Sequence, residues 1–131
     1  MNKGINVFCP FDGDSCTQIA LERIGITVKN YFASEIDPHA IKITQKNYPD
    51  TIQLGDVTKV KTSGDHLLDE FGSGHKIDLM VGGSPCQGFS FSGKRLNFED
   101  PRSKLFFEYV RLLKELKPKY FLLENVRMAK A

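Results

Sequence analysis

Short apolar runs alternate with stretches of helical period along most of the chain, and this alternation constrains the fold more than any other feature. Five runs are predicted as strands, at residues 5–9, 28–34, 51–54, 77–81 and 120–123. Apolar residues between them recur with the period of a helix, most regularly over residues 103–117. Strands joined through helices pair in parallel, so the sequence predicts a doubly wound, mostly parallel α/β sheet that stops after about five strands.

The predicted strand ends bring the candidate functional residues together. Sheets of this kind commonly take the strand order 3-2-1-4-5, and ligands bind beside the carboxyl ends of strands one and four. A turn that begins at Phe11 follows strand one, and a loop that contains Cys86 follows strand four. Glu35, Asp56 and Glu124 follow strands two, three and five. We therefore expect these side chains at one edge of the sheet.

Two predicted helices begin at residues that favour the N-cap position. Ser15 precedes the first helical stretch, and Asp37 is followed by Pro38, which suits the first helical position. The pattern is weakest between the third and fourth strands, where residues 66–71 are predicted as a short helix. The 131 residues are enough for one domain with a core of its own.

Composition limits the classes of function. The net charge of +2 does not by itself indicate a nucleic-acid-binding protein, so such a role has to rest on a local basic patch. No apolar run reaches the length of a membrane span, and we expect no membrane partner. The cysteines, at Cys9, Cys16 and Cys86, lack the paired spacing of a zinc site, so we expect no metal. Their odd number favours reduced thiols and a cytoplasmic location.

The segment GGSPCQGFSFSG at residues 82–93 presents a thiol directly after a predicted strand. Pro85 fixes its own φ and keeps the preceding residue extended, so the approach to Cys86 is stiff. The basic pair Lys94 and Arg95 follows the segment. Two interpretations are open from these residue types: covalent chemistry on an anionic substrate, or a structural cysteine in an ordinary turn.

The first strand, its turn and its helix form the kind of unit that binds nucleosides, with Glu35 placed about twenty residues later to accept from ribose hydroxyls. The turn contains one glycine, and its carboxylates at Asp12 and Asp14 would repel a diphosphate. A nucleoside with a cationic or zwitterionic tail suits it better, which indicates S-adenosylmethionine. Alternatively, Phe11 is a core residue and the two aspartates are solvated.

Six segments, in this order, resemble the motifs of the DNA cytosine-5 methyltransferases. The most specific are Pro-Cys-Gln with Phe-Ser and, after a helix, Glu-Asn-Val at a strand end. The six segments are residues 11–13, 33–37, 55–57, 83–90, 100–106 and 124–126. The resemblance covers nearly the whole chain and implies a Rossmann-like, S-adenosylmethionine-dependent methyltransferase fold, with S-adenosylhomocysteine as the product.

The resemblance also implies a cofactor site. Phe11 would stack on the adenine, Glu35 would hold the ribose, and Asp56 would bind the adenine edge. The full predicted set is Phe11, Asp12, Gly13, Glu35, Ile36, Asp56, Val57 and Leu105. The sequence departs from the family pattern in two places: residues 14–16 carry no glycine, and Ile36 stands where bacterial members often have an aromatic residue.

The catalytic residues implied by the resemblance are Cys86 and Glu124, with Pro85 and Gln87 beside the thiol. Addition of the thiolate to C6 of cytosine makes C5 nucleophilic enough to accept a methyl group. Glu124 would hydrogen-bond N3 and the amino group of the base. The substrate would be double-stranded DNA with the cytosine flipped out of the helix.

The DNA contacts implied by the resemblance are mostly basic. The predicted residues are Ser90, Lys94, Arg95 and Arg102. A basic side chain at such a position either neutralises a phosphate or belongs to a solvated face, and the sequence leaves both interpretations open.

Residues 1–131 are predicted to be the N-terminal part of a catalytic domain without the target-recognition domain. We expect activity to require a C-terminal portion or a second chain. The alternatives are a non-catalytic fragment that binds cofactor or DNA, and a tRNA cytosine-5 methyltransferase. The cellular location implied is a bacterial or phage-infected cytoplasm, or the nucleus if the protein is eukaryotic.

Overall fold

The computed structural model describes residues 3–83 and 104–124. Several predicted features lie outside these ranges: the start of the segment at residues 100–106, the end of the last motif at residues 125–126, and the site residues Pro85, Cys86, Gln87, Ser90, Lys94, Arg95 and Arg102.

Within residues 3–83 and 104–124, the main sheet has five parallel strands in the order β3-β2-β1-β7-β8. Their bounds are β1 Ile5–Pro10, β2 Val28–Ser34, β3 Ile52–Gln53, β7 Leu79–Gly82 and β8 Tyr120–Leu123. The predicted parallel sheet and the order 3-2-1-4-5 are confirmed, because these are the five predicted strands in that order. The winding reverses between β1 and β7, as expected.

In the part of the chain that the structure describes, three α-helices connect the strands: α1 Cys16–Arg23, α2 Pro38–Asn47 and α3 Lys104–Leu116. Asp37 caps α2, since its Oδ1 accepts the backbone N–H of His39 at 3.0 Å. Ser15 occupies the N-cap position of α1 as predicted, but its side chain makes no capping hydrogen bond to the helix. Its backbone is left-handed, with φ 66°, and its hydroxyl donates to the Asp12 carboxylate instead.

The prediction of a short helix at residues 66–71 is wrong. That region forms a three-stranded antiparallel sheet of β4 Thr62–Ser63, β5 His66–Leu68 and β6 Gly74–Lys76. Leu67 is fully buried in the main core, and Asp69 accepts the backbone N–H groups of Phe71 and Ser73, each at 2.9 Å. These bonds close a turn where a helix would need bonds to the preceding residues.

The middle strand of the main sheet, β1, is buried on both faces. Val7 and Cys9 pack with Leu21 of α1 on one face, whereas Phe8 packs with α3 on the other. Tyr109 of α3 is fully buried, and its hydroxyl donates to the carbonyl of Leu122 at 3.1 Å. The alternation of side chains along β1 therefore fixes both helix layers against the sheet.

Glycine is required where β7 lies between β1 and β8. A Cβ atom at Gly82 would stand 2.8 Å from the carbonyl oxygen of Pro10, and one at Gly83 would stand 2.8 Å from that of Glu124. These contacts are too close for any side chain. None of the described helices is long and apolar enough to cross a membrane.

Candidate active site

A cavity of about 120 Å³ lies beyond the carboxyl ends of β2 and β3, next to the turn that follows β1. Six of its eight lining residues belong to the predicted cofactor set. The lining residues are Phe11, Ser34, Glu35, Ile36, Gly55, Asp56, Val57 and Leu105. Pockets for drug-sized ligands occupy roughly 300 Å³ or more, so this cavity can enclose one ring system of a larger ligand.

The apolar walls of the cavity come from the turn after β1 and from the first turn of α3. Phe11 and Leu105 both pack against the core that includes Phe8 and Tyr109. Ile36 is 72% exposed at the cavity, whereas Val57 is buried. A flat apolar ring would therefore contact side chains that the core already supports.

Glu35 joins the turn after β1 to the end of β2. Its Oε1 accepts the backbone N–H of Gly13 at 2.8 Å. Its Oε2 accepts the N–H groups of Ile36 and Asp37, each at 3.0 Å. An ionised carboxylate offers about four acceptor positions, so Oε1 keeps capacity for a hydroxyl donor.

The Asp56 carboxylate accepts two hydrogen bonds from a single residue, Thr58. Its Oδ1 accepts from the backbone N–H of Thr58 at 2.9 Å and from the Thr58 hydroxyl at 2.8 Å. These bonds to the ionised form hold the pKa of the Asp56 carboxyl below its ordinary value. No donor within the described part of the chain reaches Oδ2. Asp56 is therefore a negatively charged acceptor beside the cavity.

Ser34 and Gly55 line the cavity although they were not predicted as site residues. The Ser34 hydroxyl donates to the carbonyl of Gly55 at 2.5 Å, and Gly55 has a left-handed φ of 77°. This bond joins the ends of β2 and β3 and fixes the position of Asp56. Both residues lie inside segments that resemble family motifs, directly before Glu35 and Asp56, which is the signal that could have identified them.

Asp12 and Gly13 do not line the cavity. The Asp12 carboxylate is turned into the protein and accepts from the hydroxyls of Ser15 and Tyr31. Burial raises the pKa of Asp12, and these two bonds oppose that shift. Only Asp14 of the two turn carboxylates is exposed, and it accepts from the thiol of Cys16 at 3.1 Å.

Glu124 is exposed directly after β8. Its backbone N–H donates to the carbonyl of Gly82 at 2.8 Å, so the ends of β7 and β8 are adjacent. Cys86 follows Gly83 by three positions in the sequence and lies outside the described residues.

The two described cysteines are not activated nucleophiles. Burial raises the pKa of Cys9 strongly. The hydrogen bond to the Asp14 carboxylate raises the pKa of Cys16. Thiolates are the reactive form, so neither group suits nucleophilic attack.

Within residues 3–83 and 104–124, no three His, Cys, Asp or Glu side chains cluster closely enough to hold a metal ion.

Comparison with known proteins identifies the family. Residues 5–131 match the C-5 cytosine-specific DNA methylases. The chain is 47% identical over 107 residues to the type II methyltransferase M.NlaIV of Neisseria lactamica, covering 82% of this chain and 23% of that protein. It is 42% identical over 125 residues to the orphan methyltransferase M.SPRI of Bacillus phage SPR, covering 94% of this chain and 26% of that protein.

A third relative is the type II methyltransferase M.Sau96I of Staphylococcus aureus. It is 39% identical over 127 residues, covering 96% of this chain and 28% of that protein. The chain thus spans about a quarter of the length of the curated relatives it matches. The family match extends over nearly the whole sequence and includes the cavity, the segment around Cys86 and Glu124, so the chain belongs to the C-5 cytosine-specific DNA methylases.

Proposed function

We propose that the cavity binds the nucleoside of S-adenosylmethionine and that the chain is the cofactor-binding and nucleophile-bearing part of an enzyme that methylates cytosine at C5 in DNA. The observation that carries the proposal is the grouping of Phe11, Glu35, Asp56 and Leu105 around one cavity in a member of this family. These residues come from four separate segments of the sequence.

The cavity chemistry suits an adenosine. Phe11 and Leu105 supply apolar surfaces for the base, and Asp56 supplies an acceptor for an exocyclic amino group. The unused acceptor capacity of Glu35 suits a ribose hydroxyl. The base would occupy the cavity, and the rest of the molecule would extend past the turn at Gly13.

Cys86 and Glu124 would carry the reaction on cytosine. S-adenosylmethionine would supply an electrophilic methyl group. The Cys86 thiolate would form a bond to C6, which raises electron density at C5 so that C5 can take that methyl group. Glu124 would hydrogen-bond N3, where negative charge develops. Loss of the C5 proton and breaking of the sulfur–C6 bond would then restore the aromatic ring and return the thiolate.

Catalysis would require a further part of the protein. The chain spans about a quarter of its relatives, so the rest of the base pocket and the surface that reads DNA sequence would come from a C-terminal portion or a second chain. Ser90, Lys94, Arg95 and Arg102 remain the predicted phosphate and sugar contacts on this chain.

A chimera tests this proposal. The 131-residue chain would replace the matched segment of M.NlaIV, and transfer of a labelled methyl group to duplex DNA and to tRNA would be measured. We expect transfer to cytosine in DNA, loss of transfer in Cys86→Ser, and normal transfer in Cys16→Ser, the matched exposed cysteine. The unfused chain is expected to transfer none.

Other outcomes would contradict parts of the proposal. Transfer by the unfused chain would show that no further part is needed. Transfer to tRNA alone would favour the RNA alternative. A chimera that binds S-adenosylmethionine but transfers no methyl group would favour the non-catalytic alternative.

A further inference from the structure

The turn after β1 has a backbone that needs support. Phe11, Gly13 and Ser15 have left-handed φ angles of 58°, 61° and 66°. This conformation suits glycine but costs about 1 kcal/mol or more for a residue with a side chain. Two of the three residues carry side chains, so interactions elsewhere must hold the turn.

The Asp12 carboxylate lies at the centre of these interactions. Asp12 is 8% exposed, and its Oδ1 accepts from the Tyr31 hydroxyl at 2.5 Å. Its Oδ2 accepts from the hydroxyl of Ser15, which is itself oriented by Nε2 of Gln18 at 3.0 Å. A buried carboxylate loses much of its favourable solvation, so these two hydroxyl donors are its main compensation.

Tyr31 connects the turn to the interior of the sheet. It lies on β2, is 4% exposed, and packs with Val7 and Cys9 in the core under α1. The backbone N–H of Asp12 also donates to the carbonyl of Ser34 at 3.1 Å. The turn is therefore fixed to β2 through both the side chain and the backbone of Asp12.

The residues on either side of Asp12 contribute to the cavity, whereas the Asp12 side chain lies inside the protein. Phe11 lines the cavity, and the backbone N–H of Gly13 donates to Glu35, which also lines it. Rotation of Asp12 out of its buried position would move both neighbours, because they share its backbone. The geometry of the cavity thus depends on hydroxyl groups that do not touch it.

We infer that Tyr31 and Ser15 are positioning residues, which act through the buried Asp12 carboxylate to hold Phe11 and Gly13 where the cavity can bind a nucleoside. This inference rests on the proposed function for its ligand. It assigns Asp12 a role inside the protein, where the family resemblance implied a place in the cofactor site. Tyr31 lies outside every segment that carries the resemblance.

The test compares two Tyr→Phe variants. Tyr31→Phe removes the hydroxyl and keeps the buried ring, so we expect the fold to be retained. Tyr48→Phe is the matched control, because the Tyr48 hydroxyl donates to Glu22 on the exposed surface at 2.9 Å. Titration calorimetry with S-adenosylhomocysteine should show roughly 10-fold weaker binding in Tyr31→Phe and no change in Tyr48→Phe.

A double-mutant cycle with Asp12→Ala separates positioning through Asp12 from a direct effect. If Tyr31 acts through that carboxylate, the double variant binds within about twofold of Asp12→Ala alone. Additive losses would overturn the inference. Asp12→Asn, which keeps an acceptor for the Tyr31 hydroxyl, should recover part of the affinity that Asp12→Ala loses.

Amide hydrogen exchange tests, without any ligand, whether Tyr31 stabilises the turn after β1. Tyr31→Phe should speed exchange at residues 11–15, including the Gly13 amide that is bonded to Glu35, and leave α2 and β7 unchanged. General destabilisation would speed exchange throughout. Should the unaltered chain not bind S-adenosylhomocysteine, the proposed function fails, and exchange alone decides the positioning role. If amides 11–15 exchange in Tyr31→Phe at the same rate as in Tyr48→Phe, the positioning role is overturned.

Discussion

At the scale of single residues, three carboxylates of the predicted cofactor site differ in what they bind within the protein. Asp12 is buried between two hydroxyls, Glu35 accepts three backbone N–H groups, and Asp56 accepts twice from Thr58. The sequence predicted all three as ligand-binding residues. It could not distinguish them, because the direction of a side chain depends on the turn conformation, and Phe11 adopts a left-handed φ that its residue type does not favour.

Glu35→Gln should weaken ligand binding in the cavity for two reasons. The amide nitrogen of glutamine cannot accept, so one of the oxygens that bind backbone N–H groups is replaced, and a ribose hydroxyl loses a charged acceptor. We expect about 10-fold weaker binding of S-adenosylhomocysteine by calorimetry. Glu22→Gln is the matched control on an exposed carboxylate. Equal affinities of the two variants would contradict the role of Glu35.

Asp56 should show a measurable pH dependence. Its pKa is lowered in the folded protein, so its ionised form stabilises the fold above the ordinary aspartate pKa of about 3.9, and that contribution is lost as pH falls through the lowered value. An NMR titration should therefore place the Asp56 pKa below the ordinary aspartate value of about 3.9. Thr58→Val removes one donor and should raise the Asp56 pKa. An unchanged pKa in this variant would contradict the assignment.

At the scale of elements, the sequence predicted what its local pattern determines. The five main strands, their order and the helix after Asp37 follow from apolar period, caps and the connection rules for parallel sheets. The small sheet did not follow, because residues 66–71 have a pattern that also suits a helix. Pairing of β5 with β4 and β6 decides that region, and such pairing is a tertiary interaction.

Two substitutions, one in β5 and one in the turn between β5 and β6, test the structure of the small sheet. Leu67 is fully buried, so Leu67→Ala should lower the free energy of unfolding by about 2–5 kcal/mol. Phe71 is 85% exposed, so Phe71→Ala should change it by less than about 0.5 kcal/mol. Chemical denaturation measures both. Similar losses for the two variants would contradict the described structure of the small sheet.

At the scale of the whole molecule, β8 presents several exposed apolar side chains. It is the last strand of the main sheet as described, and Tyr120, Phe121 and Leu122 are 63%, 57% and 61% exposed. An apolar edge strand offers unpaired backbone groups and favours association with another strand. We therefore predict that the isolated chain self-associates, is poorly soluble or is held by a partner.

Sedimentation velocity tests this prediction. The isolated chain should contain species larger than the monomer, and Phe121→Lys should reduce them because charge on an edge strand opposes pairing. Ile24→Lys is the matched control, since Ile24 is 69% exposed at the end of α1. A monomer with cooperative unfolding would contradict the prediction.

The central claim is that the cavity binds the nucleoside of S-adenosylmethionine, and calorimetric titration of the chain with S-adenosylhomocysteine tests it most directly. We predict one binding site, whose affinity falls at least tenfold in Phe11→Ala because the ring that lines the cavity is removed. Phe71→Ala, which removes an exposed ring that does not line the cavity, should bind as tightly as the unaltered protein. Absence of binding, or equal binding by Phe11→Ala, would contradict the account.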